Sequence, residues 1–303
     1  MTAFKGLCRR NMKIYFGDRL SVFFSMMTPI IIFLLYLFFL KGTFLDSIRD
    51  ASQGLEGLID DADTETLVNA YLLSGVLGSS VITVSLHTLL TVIRDRENKI
   101  DYDVSTTPMS RVSIIFAYYC ASLAPSFLLS GIILSAGLLI LSLGGSLYLG
   151  FCDVLLLYGT VLLGALSATS LFMLPVLFLK SSSAASALMT LVSVCAGFVI
   201  GAYIPVSEFA PTVRTFCNLF PGSGVTVLLR QTLLGGVVGH IDAGIGGADG
   251  GAFVQSIREI FGFRLCWGGT NLSGLQTAGY VLGLFALSLL GIALIYPKVS
   301  KRK

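Results

Sequence analysis

Long apolar stretches without a single charged residue recur along the whole chain. The longest covers residues 112–151, where the only interruption is a few polar residues around Gly144. An ionised side chain at the centre of a bilayer costs roughly 2.5–3.5 kcal/mol on insertion scales. A chain that keeps charges out of such lengths is therefore predicted to be an integral membrane protein.

Six apolar segments reach the length of about 20 residues that a helix needs to cross the hydrocarbon core. Helices are expected because backbone groups in lipid must bond within their own segment. We predict an all-α integral membrane fold of one domain, residues 1–303, with six transmembrane helices, an N-terminal interfacial helix and re-entrant external helices before the last span. The predicted spans are 20–40, 67–93, 112–143, 154–179, 184–204 and 277–296. The predicted regions are an interfacial helix at 1–19, spans one to five within 20–204, an external re-entrant region at 205–275, the last span within 276–297 and a cytoplasmic tail at 298–303.

The composition agrees with this prediction. Hydrophobic residues make up 54% of the chain and charged residues 12%, with a mean hydropathy of +0.85, whereas soluble domains carry about 25% charged residues. A sizeable water-soluble core is excluded. The net charge of +3 is small and scattered, which argues against nucleic-acid binding. The six cysteines and two histidines lack metal-ligand spacing, so neither a metal nor a cofactor is expected in this chain.

The distribution of charge indicates the orientation. With six spans, the basic clusters fall on one side and the acid-rich loop at 46–65 falls on the other, so both termini are predicted to be cytoplasmic. The expected location is a plasma membrane of the bacterial inner-membrane type. Residues 1–40 could also be a signal peptide, but the apolar run is long and no small-residue cleavage site follows it, which favours a retained span. The basic residues on the predicted cytoplasmic side are Lys5, Arg9, Arg10, Lys13, Arg19, Arg94, Arg96, Lys99, Arg111, Lys180, Lys298, Lys301, Arg302 and Lys303.

The external region is punctuated by proline and glycine at 205–235, which predicts short helices that dip into the outer leaflet and return. Glycine dominates 235–251, which predicts a mobile loop, and the apolar spacing at 253–263 predicts a short surface helix. Cys217 and Cys266 both fall on this side. They could form a disulfide in an oxidising compartment or stay unpaired.

One predicted span carries a polar stripe. Ser80, Thr83, His87 and Thr91 recur at three- and four-residue spacing, with Asn69 near the outer end. Lipid-facing surfaces are rarely polar, so the stripe is expected to meet another helix or a water-filled path. Hydrogen bonding between helices explains it as well as substrate contact does.

Two segments carry a family resemblance. The loop at 94–99 reads RDRENK and is followed at 105–111 by STTPMSR. It resembles the charged segment and the TP-x-S-R segment of ABC-2 type permeases, the membrane subunits of a class of ATP-binding-cassette exporters. GAYIP at 201–205, continuing through FP at 220–221 to LRQ at 229–231, resembles the re-entrant region of that family. Asn98 and Lys99 depart from the Gly that usually follows the Glu of the loop. The amphipathic start and the six-span layout extend the resemblance over nearly the whole chain.

The resemblance implies a permease subunit that works beside a second permease copy or paralogue and a separate ABC-type ATPase, which would bind ATP and Mg²⁺. No G-x-x-x-x-G-K-[ST] motif occurs in the sequence, so the chain itself is not expected to be an enzyme. The ATPase is expected to dock on the N-terminal helix and the charged loop, although a merely solvated loop remains the alternative. The residues expected to couple the ATPase to transport are Arg94, Asp95, Arg96, Glu97, Asp101, Asp103, Pro108 and Arg111.

By the same resemblance, substrate would pass at the dimer interface, lined by the first, second and fifth spans, with the polar stripe facing it. Small hydrophobic or amphipathic compounds of the drug or antibiotic kind are the expected cargo, because the spans lack charges that would neutralise ions. A lipid-linked glycan, a peptide or an ion would suit the same architecture. The rival classes are an ATP-independent channel or secondary transporter and, less favoured because the spans contain no Asp or Glu, an intramembrane transferase.

Overall fold

Helix is the dominant structure in this computed structural model, which describes residues 2–51, 59–144, 148–246, 251–267 and 270–301. The predicted all-α membrane class is confirmed, with one addition, a two-stranded hairpin that the sequence did not predict. The helices are α1 (Thr2–Gly17), α2 (Arg19–Leu35), a π-helical turn (Tyr36–Leu40), α3 (Lys41–Ala51), α4 (Asp61–Thr88), α5 (Leu90–Glu97), α6 (Ile100–Ser105), α7 (Arg111–Gly144), α8 (Phe151–Val176), α9 (Ser182–Val199), a 3-10 turn (Val206–Glu208), α10 (Pro211–Leu219), α11 (Pro221–Ile245), α12 (Ala252–Ile260) and α13 (Gly274–Lys301). Strands β1 (Leu265–Trp267) and β2 (Thr270–Leu272) pair antiparallel, with Leu265 opposite Leu272.

Seven helical segments of the described chain are long and apolar enough to cross a membrane. Six of them overlap the predicted spans, and the seventh is α11, where a re-entrant segment was predicted. The seven segments are Arg19–Asp50, Asp61–Glu97, Arg111–Leu143, Phe151–Val176, Ser182–Val199, Pro221–Ile245 and Gly274–Lys298.

Short polar residues set several helix starts. The carboxylate of Asp18 accepts the backbone N–H of Ser21 at the start of α2, and the hydroxyl of Ser181 accepts that of Ala184 at the start of α9. Such caps satisfy N–H groups that have no partner inside the helix. The local sequence therefore determines where these helices begin.

Helix α4 lies at the centre of the bundle and packs against α2, α7, α8, α9 and α11. Small residues permit these close approaches. A Cβ placed on Gly78 would lie 2.1 Å from the hydroxyl oxygen of Thr226 in α11, and one placed on Gly164 of α8 would lie 2.9 Å from both Val81 and Val225. Close backbone packing through small residues is the usual means of helix association in lipid.

The prediction of a mobile loop over 235–251 is wrong for its first eleven residues, because α11 continues as a helix to Ile245. Val237, Val238, Ile241 and Ile245 of this segment are buried. Gly236 packs so closely that a Cβ there would lie 2.3 Å from the carbonyl oxygen of Tyr148. Tertiary packing thus outweighs the poor helix propensity of glycine. Gly246, with φ +63°, ends the helix. Residues 247–250 lie outside the described residues.

Contacts define how far α11 extends along α4. At one end, His240 Nε2 lies 3.6 Å from Asp63 Oδ2, and the His240 ring stacks on Tyr148 at 4.1 Å. At the other end, Gly222 packs against Ile82. From the level of Ile82, α4 and α5 continue for about 22 Å to Glu97 at 1.5 Å per residue. The N-terminus of α11 therefore lies well short of the end of the bundle that carries Glu97.

Two predicted amphipathic helices are present. In α1, Leu7, Asn11 and Tyr15 are buried at four-residue spacing, whereas the basic residues Lys5, Arg9 and Lys13 are exposed. In α12, the predicted surface helix, Val254 and Ile257 are buried. The location of α1 at the bilayer surface remains a prediction, and Glu56, Arg302 and Lys303 of the predicted loop and tail lie outside the described residues.

Candidate functional site

The predicted coupling loop folds as two short helices, α5 and α6, joined by a turn. Lys99 has φ +61°, the left-handed conformation that reverses the chain there. The charged side chains of residues 94–97 contact α1, α2, α7 and the turn between α8 and α9.

Asp95 is buried at the centre of this arrangement, with an exposed fraction of 3%. Arg10 of α1 donates two hydrogen bonds to its carboxylate, Nη1 to Oδ2 at 2.6 Å and Nη2 to Oδ1 at 3.0 Å, and the hydroxyl of Tyr118 in α7 donates a third at 2.7 Å. The hydrogen bond to Asp95 raises the pKa of Arg10. Asp95 was expected on an open mixed-charge surface, but here it joins α1, α5 and α7 from within. These three hydrogen bonds compensate the cost of burying the carboxylate of Asp95.

Arg94 holds the start of α2. Its Nη1 donates to Asp18 Oδ2 at 2.6 Å, and the Ser21 hydroxyl donates to the same oxygen at 2.7 Å. These bonds, chiefly the one from Arg94, followed by those from the Ser21 hydroxyl and backbone N–H, lower the pKa of Asp18 to about 2. The pair connects the coupling loop to the first long apolar helix.

Arg96 and Glu97 bind the turn between α8 and α9. Arg96 Nη1 donates to the backbone carbonyls of Val176 at 2.9 Å, Leu177 at 3.0 Å and Leu179 at 2.7 Å. The Glu97 carboxylate accepts the backbone N–H of Ser182 at 3.2 Å and also its hydroxyl. A cation at the C-terminus of a helix and an anion at an N-terminus both complement the helix dipole.

Arg94, Asp95, Arg96 and Glu97 therefore bond to distant helices. The other four predicted coupling residues lie farther out, where Arg111 donates to the carbonyl of Pro297 at 3.5 Å. Asp103, Pro108 and Arg111 are exposed, and Asp101 is half-buried. Together with the exposed basic residues of α1, these four residues form a surface that we call the outer coupling surface; its members are Lys5, Arg9, Lys13, Asp101, Asp103, Pro108 and Arg111. The bonding roles of Arg10, Asp18 and Tyr118 were missed from sequence, since nothing in their local pattern distinguishes them from neighbouring basic, capping or apolar positions.

The predicted polar stripe does not form an open path within a single chain. Ser80 and Thr83 are fully buried, and their hydroxyls donate to carbonyls of their own helix, that of Leu77 at 2.8 Å and that of Ser79 at 2.9 Å. Asn69 and His87 are half-buried. Serine and threonine commonly bond to the preceding turn in this way, and the central position of α4 accounts for their burial.

Arg230 of α11 is a buried cation that the sequence indicated only through the family pattern. It is 2% exposed and donates to the carbonyls of Gly201 at 2.7 Å and Phe261 at 3.2 Å, while its guanidinium carbon lies 4.7 Å from the ring centre of Tyr71. Charge-assisted bonds to carbonyls and a cation–π contact compensate its desolvation. One side chain thus joins α4, the end of α9, α11 and the end of α12.

Cys217 and Cys266 are free thiols in the structure. Their segments are in contact, because the amide of Asn218 donates to the carbonyl of Cys266 at 2.7 Å. Burial raises the pKa of the Cys217 thiol. A disulfide between them stays one of the two alternatives that the sequence leaves open.

The structure has several apolar helices that are long enough to cross a membrane. The charged residues of the coupling loop bond to helices at one end of this bundle. These features are those of a multi-pass membrane protein. The family model described as ABC-2 type transporter matches residues 2–234. The chain belongs to the ABC-2 type transporter family, whose members are transmembrane permease subunits of ABC transporters, are not themselves catalytic and typically work with an ATP-binding subunit. No curated protein matches the chain. The match ends within α11, so α12, the hairpin and α13 lie beyond it.

Proposed function

We propose that this chain is the membrane subunit of an ATP-driven exporter, in which two permease subunits and two ATPase subunits move small hydrophobic or amphipathic compounds outward across the plasma membrane. ATP and Mg²⁺ would be bound by the ATPase. The observation that carries the proposal is the attachment of the coupling loop to the helix bundle by charge-assisted hydrogen bonds.

The bonds of the loop give a physical route for coupling. Asp95 joins α5 to α1 and α7, Arg94 joins it to α2, and Arg96 and Glu97 join it to α8 and α9. A push by an ATPase on α6 would therefore move several membrane helices together. A merely solvated loop would not need three separate charge-assisted attachments to helix ends.

The position of α11 along α4 supports the predicted six crossings with both termini cytoplasmic. Its N-terminus packs beside Gly78 and Ile82 of α4, and its C-terminus lies beside Asp63. Placing Arg94 at the inner boundary of a hydrocarbon core about 30 Å thick puts the outer boundary near Ser74. On that scale α10 and α11 enter from outside and return, as the re-entrant interpretation requires.

The proposed substrate path follows α2 and α9. Both pack against α4, and both carry apolar faces left uncovered by this chain, including Phe24 and Ile31 on α2 and Leu191 and Val194 on α9. A second permease subunit would cover these faces and enclose a path suited to apolar compounds. His87 of α4, half-buried, is the member of the polar stripe best placed to contact a substrate there.

The docking assignment is tested by charge reversal on the outer coupling surface. The tagged chain is purified from its native membrane with its co-purifying ATPase, then reconstituted, and ATP-dependent movement of a hydrophobic dye is measured. Asp103→Lys with Arg111→Glu should reduce both ATPase co-purification and transport. Arg49→Glu, an exposed charge reversal on α3 at the opposite end, is the matched control. Unchanged co-purification and transport in the double variant would refute the docking surface.

A further inference from the structure

An open cleft of about 750 Å³ lies between α10, α11, α12 and the hairpin, at the end of the bundle opposite the coupling loop. Three arginines line it, each from a different segment: Arg214 from α10, Arg258 from α12 and Arg264 from the residues before β1. Asn271 of β2 adds an amide. The family match ends before two of the three arginines.

The three guanidinium groups have no carboxylate partner, since each of the four ion pairs within the described ranges lies elsewhere in the protein. Two acidic residues also line the cleft. The carboxylate of Glu259 already accepts a hydrogen bond from the Gln255 amide at 3.1 Å, and Asp242 lies near the C-terminal end of α11. Arginine presents a planar fork that bonds two oxygens of a phosphate at once. The cleft therefore offers a phosphate group more donors than its own acids satisfy.

Exposed apolar side chains lie on two of the elements beside the cleft, α10 and α13. On α10, Phe216 is 70% exposed and Val213, next to Arg214, is also exposed. At the start of α13, Leu275 is 87% exposed and follows Gly274, which lines the adjoining part of the cleft. A soluble anion would gain nothing from such a border. An amphiphile with a phosphate head and apolar tails would bury both parts.

The depth of the cleft agrees with this ligand. Gly224 of α11 packs against Thr277 and Val281 of α13. The first turns of α13 therefore lie beside the first turn of α11. Arg258 and Arg264 line the cleft beside Gln231 and Gly235 of α11. These two residues follow Arg230, which contacts Ser74 at the proposed outer boundary, so the cleft lies at the level expected for the head groups of the outer leaflet.

We propose that this cleft binds the phosphate head group of an anionic phospholipid of the outer leaflet, with the acyl chains lying over α10 and the start of α13. The site goes beyond transport itself, because it requires neither the ATPase nor the cargo. It would fix the external helices relative to the bilayer surface.

The test measures lipid binding to the purified full-length chain in detergent by native mass spectrometry. The probe is dioctanoyl phosphatidylglycerol, compared with dioctanoyl phosphatidylcholine and with inorganic phosphate. The double variant Arg258→Gln with Arg264→Gln should weaken phosphatidylglycerol binding by about tenfold for each arginine. Arg49→Gln, which removes an exposed charge that does not line the cleft, should bind as the parent does.

The arms separate the sources of phosphate. Stronger binding of phosphatidylglycerol than of both comparison ligands, lost only in the cleft variants, supports the proposal. Equal binding by the double variant, equal binding of phosphatidylcholine, or arginine-dependent binding of inorganic phosphate as tight as that of the lipid overturns it. Should the double variant aggregate, Arg258→Lys replaces it, and this variant should lose part of the affinity while keeping the charge; an unchanged affinity again overturns the proposal.

Discussion

Replacing Asp95 by Asn tests whether the hydrogen bonds of Asp95 to Arg10 and Tyr118 stabilise the fold. The substitution keeps the shape of the side chain but removes the charge that accepts two bonds from Arg10 and one from Tyr118. Breaking one partner of a fully buried pair costs about 3–5 kcal/mol. The Arg10 side chain is 34% exposed, so water compensates part of the loss, and Asn still accepts one bond. We expect a cost of about 2 kcal/mol.

The assay is thermal unfolding of the purified chain, followed for the parent, Asp95→Asn, Arg10→Gln and the double variant. A cost of this size corresponds to a fall in Tm of roughly 4–8 °C. Because the two residues contact each other directly, their effects should not add, and the coupling energy should be about 1–2 kcal/mol. Asp103→Asn, the same change at an exposed position of the same loop, should shift stability by less than about 0.5 kcal/mol. An unchanged Tm in Asp95→Asn, or full additivity of the two single effects, would show that the buried pair does not hold α1 to α5.

Three further predictions concern other contacts. Arg230→Met leaves the carbonyls of Gly201 and Phe261 without their donor, and it should destabilise the fold by about 2 kcal/mol or more, measured by thermal unfolding. The pKa of Asp18 is lower in the fold, about 2, than the unfolded value of about 3.9. Its ionised form therefore stabilises the fold above about pH 4, and this contribution is lost as the pH falls towards 2; Asp18→Asn should remove that part of the dependence of Tm on pH. In the unmodified chain, Cys217, buried and with a raised pKa, should react with a thiol reagent more slowly than the half-buried Cys266, as peptide mass mapping would show.

Each of these has a control and a contrary result. Arg230→Lys keeps a charge but reaches fewer carbonyls, so its Tm should lie between those of the parent and the Met variant, and a Met variant as stable as the parent would contradict the bonding role. For Asp18, an Asn variant whose pH profile matches the parent between pH 4 and 2 would exclude the Arg94 contact as the cause. For the cysteines, equal modification rates in the folded chain, with denatured protein as the control, would contradict the burial of Cys217.

Particular elements show what the sequence determined and what it did not. The charge-free run at 112–151 predicted α7 and the start of α8, because lipid leaves the backbone only intrahelical partners. The four-residue spacing of Leu7, Asn11 and Tyr15 likewise agrees with a helix. In contrast, the helix at 235–245 was missed, because glycine usually favours loops. Here the absence of a side chain on Gly236 lets the helix pack directly against the backbone of Tyr148.

The bonding of the candidate site could not be predicted from the sequence. The charged residues at 94–97 were identified, yet their partners Asp18 and Arg10 are more than 70 residues away in sequence, and only the tertiary fold brings them together. The burial of Ser80 also depended on which helix occupies the centre, which periodicity alone does not reveal. Side-chain pairings across distant segments are the part that a local pattern cannot encode.

The near-continuity of α4 and α5, interrupted only at Leu89, has a mechanical consequence. From Asp61 to Glu97 the two helices form a rod about 55 Å long, with the carboxylate of Asp95 anchored at one tip and that of Asp63 beside Tyr148 and His240 at the other. A tilt of about 5° about one tip would displace the opposite tip by about 5 Å over that length. A small swing at one end of the rod would thereby become a displacement of atomic scale at the other end.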